Sequence, residues 1–323
     1  MSYTPVNIFG RVWDSLSAVH LQVLVVFVCL VYLLPVVKIF LAYTIGKIFF
    51  SKRKYLKHAG EWAIVTGATD GIGKAYAEEL AKDGLNIMLI SRSLEKLKNV
   101  ATEIESSYHV KTRVVVADYT QNNIYESIEK EINDLSSIAC LVNNVGMSYS
   151  HFDSYTCAKF INCNFIQNMI ACNAQSVAIM TYLVLPKLLK QGRNGSAIIN
   201  IGSFLGCLPS PYITLYGATK AFVHHFSRSI MAELNLPLYN EVIIQTVYPL
   251  FVATAMSGAK KPSLFIPSAR SYAKSALDML GVEEFTTGYF AHAIQGYLIS
   301  SLPLSWVHNK YKKIADKARR KYQ

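Results

Sequence analysis

Tyr216 and Lys220 are the residues whose spacing most directly suggests chemistry. They lie four positions apart in Tyr-Gly-Ala-Thr-Lys, and on a helix this spacing places both side chains on one face. A phenol has an ordinary pKa of about 10, and we expect the neighbouring ammonium to lower the pKa of Tyr216 by stabilising its anion. Such a pair suits proton donation to a carbonyl oxygen while a nicotinamide delivers hydride to the carbon. We therefore predict that Tyr216 is the catalytic acid and that Lys220 also holds the nicotinamide ribose.

Ser203 and Asn173 complete the predicted catalytic set. Ser203 follows the apolar run 197–201, where its hydroxyl would polarise and position the same carbonyl oxygen. Asn173 precedes the apolar helical stretch 177–185, and we expect it to hold a water that links Lys220 to solvent. A Tyr-Lys pair at this spacing often arises by chance, whereas the whole set in this chain order does not.

A glycine-rich turn, Thr66-Gly-Ala-Thr-Asp-Gly-Ile-Gly, joins a predicted strand to a predicted helix. Its glycines permit a tight turn and close approach of the backbone to a pyrophosphate, whose charge then faces the helix N-terminus. The strand–turn–helix context favours this interpretation over an ordinary turn. The predicted dinucleotide contacts in the turn are Gly67, Thr69, Asp70, Gly71, Ile72 and Gly73.

Ser91 and Arg92 stand at the end of the second predicted strand. A site for NAD has a carboxylate near this position to bind the adenosine ribose hydroxyls, whereas a 2′-phosphate requires a cation. Arginine stacks on adenine and pairs with phosphate, so we predict that the cofactor is NADPH and that Arg92 binds it. The alternative is that Arg92 is a surface residue and that other positions set the preference.

The elements around these residues follow an α/β pattern. From Glu61 onward, short apolar runs alternate with stretches of helical spacing, which predicts a Rossmann-type doubly wound parallel sheet. Helices are predicted over 74–82 and from a start near Tyr216. The predicted strands cover residues 62–66, 86–90, 114–117, 138–142, 197–201 and 242–247.

An N-terminal transmembrane helix is predicted over residues 15–37. This stretch contains no Asp, Glu, Lys or Arg over 23 positions, enough to cross a hydrocarbon core of about 30 Å. A cleaved signal peptide would have a shorter apolar core and a small-residue cleavage site. Six basic residues lie within 38–57 against only Arg11 before the span, which predicts that the folded part faces the cytosol.

The C-terminal part combines an apolar segment with a basic tail. Residues 285–308 carry no charge apart from histidines but contain Gly288, Gly296 and Pro303. A second span, a membrane-associated helix and a core-packed helix all remain open. We predict a membrane anchor with a basic juxtamembrane segment over 1–59, an NADP-binding reductase domain over 60–282, and an apolar helical segment with a basic tail over 283–323.

Charge and cysteine usage narrow the class of protein. The formal net charge of +11 accompanies a mean hydropathy of +0.25, and basic residues cluster beside the span and at the tail rather than among stacking aromatics. This distribution favours a membrane surface over nucleic acid, with a merely solvated basic face as the alternative. The six cysteines form no C-x-x-C pair and no zinc-like spacing with histidine, which predicts free thiols and no metal site.

These motifs resemble those of the short-chain dehydrogenase/reductase family over roughly residues 60–260. The resemblance rests on T-G-x-x-x-G-I-G from Thr66, N-N-V-G from Asn143, Ser203, and the Tyr216-Lys220 pair. By position, it implies adenine-side and nicotinamide-side cofactor contacts at Asp118 and Asn144. It also implies the catalytic set Asn173, Ser203, Tyr216 and Lys220.

Further segments resemble the branch of very-long-chain 3-oxoacyl-CoA reductases and 17β-hydroxysteroid dehydrogenases types 12 and 3, among them residues 60–63, 89–93, 143–147 and 251–254. In that branch an N-terminal membrane segment and an endoplasmic reticulum location are usual. The resemblance implies NADPH-dependent reduction of a very-long-chain 3-oxoacyl-CoA to the 3-hydroxyacyl-CoA in fatty-acid elongation.

Two alternatives stay open. A 17β-hydroxysteroid dehydrogenase that reduces 17-ketosteroids would use the same residues, because both substrates offer a ketone on a large apolar body. An inactive membrane scaffold protein belongs to another class, and the presence of Ser203, Tyr216 and Lys220 disfavours it. By analogy with the fold, we expect a homodimer formed through the helices after Asn173 and from Tyr216, together with elongation-enzyme partners.

Overall fold

The computed structural model describes residues 19–234, 242–259 and 261–322. Its centre is a seven-stranded parallel sheet in the order β3-β2-β1-β4-β5-β6-β7. All six predicted strands are present, with ends within two residues of the prediction, and β7 is additional. The strands are β1 (Trp62–Thr66), β2 (Asn86–Ser91), β3 (Thr112–Val116), β4 (Ile138–Asn143), β5 (Ser196–Ile201), β6 (Val242–Val247) and β7 (Phe285–Thr286).

Nine helices and a short 3₁₀ turn at Phe204–Gly206 accompany the sheet within the described ranges. Two predicted helices are confirmed with slightly earlier starts, at Gly71 and at Thr214. The helices are α1 (Val19–Ala59, interrupted at residues 50–52), α2 (Gly71–Lys82), α3 (Leu94–Tyr108), α4 (Tyr125–Asn133), α5 (Cys163–Gln191), α6 (Thr214–Leu234), α7 (Ala269–Asp278), α8 (Phe290–Ser300) and α9 (Leu304–Tyr322).

The strands are short continuous apolar runs because helices cover the sheet on both faces. Every residue of β4 and β5 is buried, as expected for a doubly covered parallel sheet. One face packs against α2, α3 and α7, which contribute Leu80, Leu97 and Leu277 to the core. The other packs against α4, α5 and α6, through residues such as Ile128 and Val184.

The order of the strands places a crevice at the carboxyl ends of β1 and β4. The chain proceeds from β1 outward to β2 and β3, then returns to add β4 on the other side of β1. The loops after β1 and β4 therefore leave the sheet in opposite directions. Open α/β sheets bind ligands at such a switch point, and the predicted glycine turn follows β1.

Helix α1 has the properties of a membrane span. Its most apolar window has a mean hydropathy of 2.8 with none of the window buried. The predicted span 15–37 falls on α1 from Val19, while residues 15–18 lie outside the described part of the chain. Helix α5 is also long and apolar enough, but 56% of its window is buried, which identifies it as a core helix.

The predicted apolar segment 285–308 is divided among three elements. Phe285 and Thr286 form β7, which pairs with β6, and α8 then ends before Pro303, after which α9 begins. Within the described ranges, this segment forms no single helix long and apolar enough to span a membrane. The break at Pro303 has a local cause, since proline has no amide hydrogen to continue the preceding helix.

Candidate active site

The glycine-rich turn forms the floor of the crevice. Gly67 and Gly71 have φ of +65° and +56°, which favours glycine. Asp70 caps α2, and its carboxylate accepts a hydrogen bond from the Gly71 amide at 2.6 Å. A Cβ on Gly73 would collide with the carbonyl oxygen of Gly67 and the side-chain amide of Asn144. The turn is thus held close to α2, with the helix N-terminus directed at the crevice.

The loop after β4 is tied to the turn after β1 by Thr66. The Thr66 hydroxyl accepts hydrogen bonds from the amides of Asn144 and Val145, both at 3.0 Å. The Asn144 side chain in turn donates to the carbonyl oxygens of Thr66 (3.0 Å) and Gly67 (3.2 Å). Asn144 therefore lines the crevice while its amide nitrogen holds the two loops together.

Arg92 and Asp118 follow β2 and β3 and line the same crevice. Arg92 follows β2 and is exposed, as a residue that binds an external phosphate must be. The Asp118 carboxylate accepts hydrogen bonds from the backbone amide (3.0 Å) and hydroxyl (2.9 Å) of Thr120. The hydroxyls of Thr69 and Ser91, 3.0 Å apart, join the glycine turn to the end of β2.

A cavity of about 550 Å³ runs along the crevice. Ten of the predicted site residues line it: Gly67, Thr69, Asp70, Gly71, Ile72, Arg92, Asp118, Asn144, Tyr216 and Lys220. Gly73, Asn173 and Ser203 lie outside this lining. The glycine cradle, the helix N-terminus and the exposed cation at Arg92 fit a dinucleotide with an additional phosphate on its adenosine ribose.

Several lining residues were not predicted as cofactor contacts. They are Thr120, Met147, Asn168, Cys172, Pro249, Thr254, Ala255 and Met256, among others. The available signal was position, because Met147 follows β4 and Pro249 follows β6, and both strands end at the crevice. Asn168 and Cys172 carry no such signal, since they reach the cavity from within α5.

Tyr216 and Lys220 both line this cavity. They occupy one face of α6, and the Lys220 ammonium is 5.9 Å from the centre of the Tyr216 ring. Lys220 is 3% exposed and donates a hydrogen bond to the carbonyl oxygen of Ile201 at 2.9 Å. That carbonyl is at the end of β5, so the sheet itself positions the lysine.

Burial sets the direction of the pKa shift for both members of the pair. Burial raises the pKa of Tyr216 above its usual value, while the neighbouring Ser203 hydroxyl acts in the opposite direction. Burial also lowers the pKa of Lys220 to about 8. Burial disfavours the charged form of a phenol and therefore determines the direction for Tyr216, and the predicted influence of Lys220 on the Tyr216 pKa stays a prediction. A raised pKa keeps Tyr216 protonated at neutral pH, as a proton donor requires.

Ser203 is held against α6 by a tight turn. It is 6% exposed, and its hydroxyl oxygen accepts a hydrogen bond from the Leu205 amide at 3.2 Å. The following Gly206 packs directly on α6, where a Cβ would come within 2.7 Å of the Ala221 nitrogen. The turn therefore fixes Ser203 beside Tyr216.

Asn173 lies inside α5, which continues through the apolar stretch 177–185 that follows it. It belongs to a π-helical turn, Ala171–Gln175, in the middle of α5. Its side chain accepts a hydrogen bond from the Met147 amide (2.7 Å) and donates one to the Met147 carbonyl (2.8 Å) and one to the Thr219 hydroxyl (3.1 Å). π-turns often occur at functional sites. Here the turn brings Asn173 between the loop after β4 and α6, and its predicted role in holding a water stays a prediction.

Comparisons with known proteins agree with this geometry. A family model described as short chain dehydrogenase matches residues 61–264. The very-long-chain 3-oxoacyl-CoA reductase of Homo sapiens is 45% identical over 251 residues, which is 78% of this chain and 78% of the human protein. The very-long-chain 3-oxoacyl-CoA reductase-A of Danio rerio is also 45% identical, over 77% of this chain and 76% of its own.

A solved structure shows the same fold. The short-chain dehydrogenase from Sphingobium yanoikuyae, in complex with NADPH, superposes with a TM-score of 0.62 at 26% identity. The match covers 75% of this chain and 96% of that one.

Proposed function

This chain belongs to the short-chain dehydrogenase family, and from that premise we propose that it reduces a very-long-chain 3-oxoacyl-CoA to the 3-hydroxyacyl-CoA with NADPH. The observation that carries the proposal is that Tyr216 and Lys220 line a cavity suited to a dinucleotide, with Ser203 buried beside Tyr216. The 45% identity to the human very-long-chain 3-oxoacyl-CoA reductase supports this substrate class.

The geometry suggests a separate role in the reaction for each of these residues. Bound NADPH supplies the hydride for the ketone carbon. Tyr216 is protonated at neutral pH and donates its proton to the ketone oxygen, where negative charge develops. The Ser203 hydroxyl is placed to stabilise that charge, and Lys220 holds the nicotinamide end of the cofactor while its ammonium stabilises the tyrosinate that remains. Arg92 and the N-terminus of α2 bind the phosphates.

We also propose that α1 anchors the protein in the endoplasmic reticulum membrane with the catalytic domain in the cytosol. The exposed apolar surface of α1 supports the anchor, and the basic residues that follow the span support the orientation. A homodimer and association with other elongation enzymes remain part of this proposal, through analogy with the fold. The basic juxtamembrane surface suits the acidic phosphates of coenzyme A.

The direct test is NADPH oxidation by the purified full-length protein. A long-chain 3-oxoacyl-CoA and a 17-ketosteroid are compared as substrates, and we expect faster turnover of the thioester. Tyr216→Phe removes the proton donor, so we expect it to lower turnover by about 10² to 10⁴-fold. NADPH binding, measured by fluorescence, should survive this substitution.

Tyr182→Phe is the matched control, because Tyr182 is 76% exposed on α5 and should tolerate loss of its hydroxyl. Faster turnover of the steroid would overturn the proposed substrate class but would leave the proposed mechanism unchanged. Turnover that is unchanged in Tyr216→Phe would overturn the mechanism itself.

A further inference from the structure

The corner between α8 and α9 exposes a cluster of large apolar side chains. We call this corner the elbow and define it by Leu298, Leu302, Leu304 and Trp306. Their exposed fractions are 56%, 45%, 46% and 65%. The four side chains lie within nine consecutive residues of the chain, and exposed apolar clusters mark interaction surfaces.

The position of α8 beside α1 indicates what covers the elbow. The Tyr297 hydroxyl on α8 donates hydrogen bonds to the carbonyl oxygens of Val31 (3.1 Å) and Tyr32 (3.2 Å) on α1. Further along, the rings of Phe290 and Tyr43 meet edge to face at 6.0 Å. Helix α8 thus lies along the apolar part of the anchor.

The depth of this contact can be measured along α1. Tyr32 lies six residues before Lys38, the first basic residue after the span, or about 9 Å at the rise of an α-helix. Val31 and Tyr32 also belong to a π-helical turn, Cys29–Leu33, where the regular ladder of hydrogen bonds is interrupted. Backbone carbonyls within a bilayer need partners from protein, and Tyr297 provides one.

Helix α9 continues from the elbow with the character of an interfacial helix. Its inner face packs on the protein through Val307 and Ala315, both buried. Its exposed residues include Lys310, Lys312, Lys313, Lys317 and Arg320. An apolar end followed by a basic face is typical of helices that lie at an anionic lipid surface.

We propose that the elbow is a second membrane contact, which enters the cytosolic leaflet of the bilayer that α1 spans while α9 lies along the lipid headgroups. The apolar cluster then contacts the hydrocarbon of an anionic bilayer. Continuity with α1 at Val31 and Tyr32, and the basic charge of α9, both select lipid over a protein partner.

The elbow is also joined to the substrate side of the active site. Gly296 on α8 packs against Phe204, the residue after Ser203, where a Cβ would lie 2.9 Å from the ring. Tyr311 on α9 contacts Phe152 with ring centres 6.1 Å apart. Insertion of the elbow would therefore hold the Ser203 side of the site at the bilayer surface, where a lipid-soluble acyl chain resides. This last consequence rests on the proposed function.

The test uses the fluorescence of Trp306 in the full-length protein reconstituted into anionic liposomes. The chain has three tryptophans, so Trp13→Phe with Trp62→Phe leaves Trp306 as the only tryptophan, whose fluorescence is excited selectively. We expect phospholipids brominated near the headgroup end of the acyl chain to quench it about twofold or more. The companion variant that keeps only Trp62, at the start of β1, should show no such quenching.

A charge substitution sharpens the test. Leu302→Glu with Leu304→Glu should reduce the quenching of Trp306, although α1 still anchors the protein. Leu94→Glu is the control, since Leu94 is 47% exposed on α3, and it should leave the quenching unchanged.

Lack of quenching by brominated lipid in liposomes would overturn the proposal. A protein interface would equally overturn the proposal. It would be identified if Trp306 were shielded from both lipid and acrylamide, and if two copies of a Ser305→Cys variant became cross-linked through that cysteine. The quenching requires no turnover, so its outcome is independent of the substrate assignment. If the elbow inserts, Leu302→Glu with Leu304→Glu should lower kcat/KM for a long-chain thioester more than for a short, water-soluble one.

Discussion

Lys220 and Arg53 are cationic side chains that are both largely buried, but only Arg53 is surrounded by carboxylates. Arg53 joins the juxtamembrane part of α1 to the catalytic domain, with ion pairs to Glu79 (2.8 Å), Asp83 (2.6 Å) and Asp278 (2.9 Å). Lys220 is 3% exposed, and in the described part of the chain its charge is met by the carbonyl of Ile201 but by no carboxylate.

The presence or absence of carboxylate partners separates the structural role of Arg53 from the proposed functional role of Lys220. Arg53 presents a planar fork that three carboxylates satisfy, so its charge links two regions of the protein. Lys220 is held in the cavity at a cost, which is why burial lowers its pKa to about 8. Unfavourable burial of this kind is typical of active sites, where a substrate or cofactor completes the electrostatics.

Removal of Arg53 should have the largest effect on stability. Arg53→Ala leaves three carboxylates close together without a cation, among them Glu79, whose side chain is 6% exposed. We expect the free energy of unfolding to fall by roughly 4 kcal/mol, measured by denaturant titration in detergent. Arg113→Ala is the control, because its partners Glu131 and Asp134 are 40% and 58% exposed, and its cost should be about 1 kcal/mol or less. Equal losses of unfolding free energy in the two variants would show that the Arg53 ion pairs stabilise the protein no more than exposed ones.

Lys220→Met should have the opposite effect on stability while it lowers turnover. Lysine in the unfolded chain keeps a pKa of 10.5, whereas the folded value is about 8. The unfolded chain therefore binds more protons between these values, so Lys220 makes the free energy of unfolding rise with pH across that window. We expect the variant to be more stable at pH 7 by up to about 3 kcal/mol.

The measurement is the difference in free energy of unfolding between wild type and Lys220→Met as pH increases from 7 to 10, which isolates Lys220 from the other titrating groups. The difference should shrink steadily above pH 8. A constant difference would show that Lys220 is not the source of the pH dependence.

Arg92→Ala should have the smallest effect, and one confined to the cofactor. Arg92 is exposed, so its loss should leave the free energy of unfolding nearly unchanged. We expect the ratio of kcat/KM for NADPH to that for NADH to fall about 10- to 100-fold, as charge-assisted hydrogen bonds to the 2′-phosphate are lost. An unchanged ratio would indicate that Arg92 is a surface residue and that other positions set the cofactor preference.

The sequence predicted the sheet and much of the candidate site because both are encoded in neighbouring residues. Each strand is a short apolar run of consecutive positions, and the glycines at Gly67 and Gly71 meet conformational requirements that are local to the turn. The spacing of Tyr216 and Lys220 likewise depends only on the period of one helix.

Asn173 shows where such reasoning fails. The sequence placed Asn173 only as preceding the apolar helical stretch 177–185, whereas the structure places it in a π-helical turn inside a helix that begins at Cys163. The turn is stabilised by contacts with Met147 and Thr219, which are 26 and 46 positions away. No local pattern records such partners.

By itself the sequence determined the parallel sheet, the glycine cradle, the Tyr216-Lys220 pair and the apolar helix α1, since each follows from side-chain type and short-range spacing. Only the tertiary structure decided the direction of the Tyr216 pKa, the docking of Arg53 and the position of α8 along α1. Desolvation depends on every atom packed around a group, and Arg53 meets Asp278 across 225 positions. These properties arise from the packing of distant segments, and the order of residues along the chain does not display them.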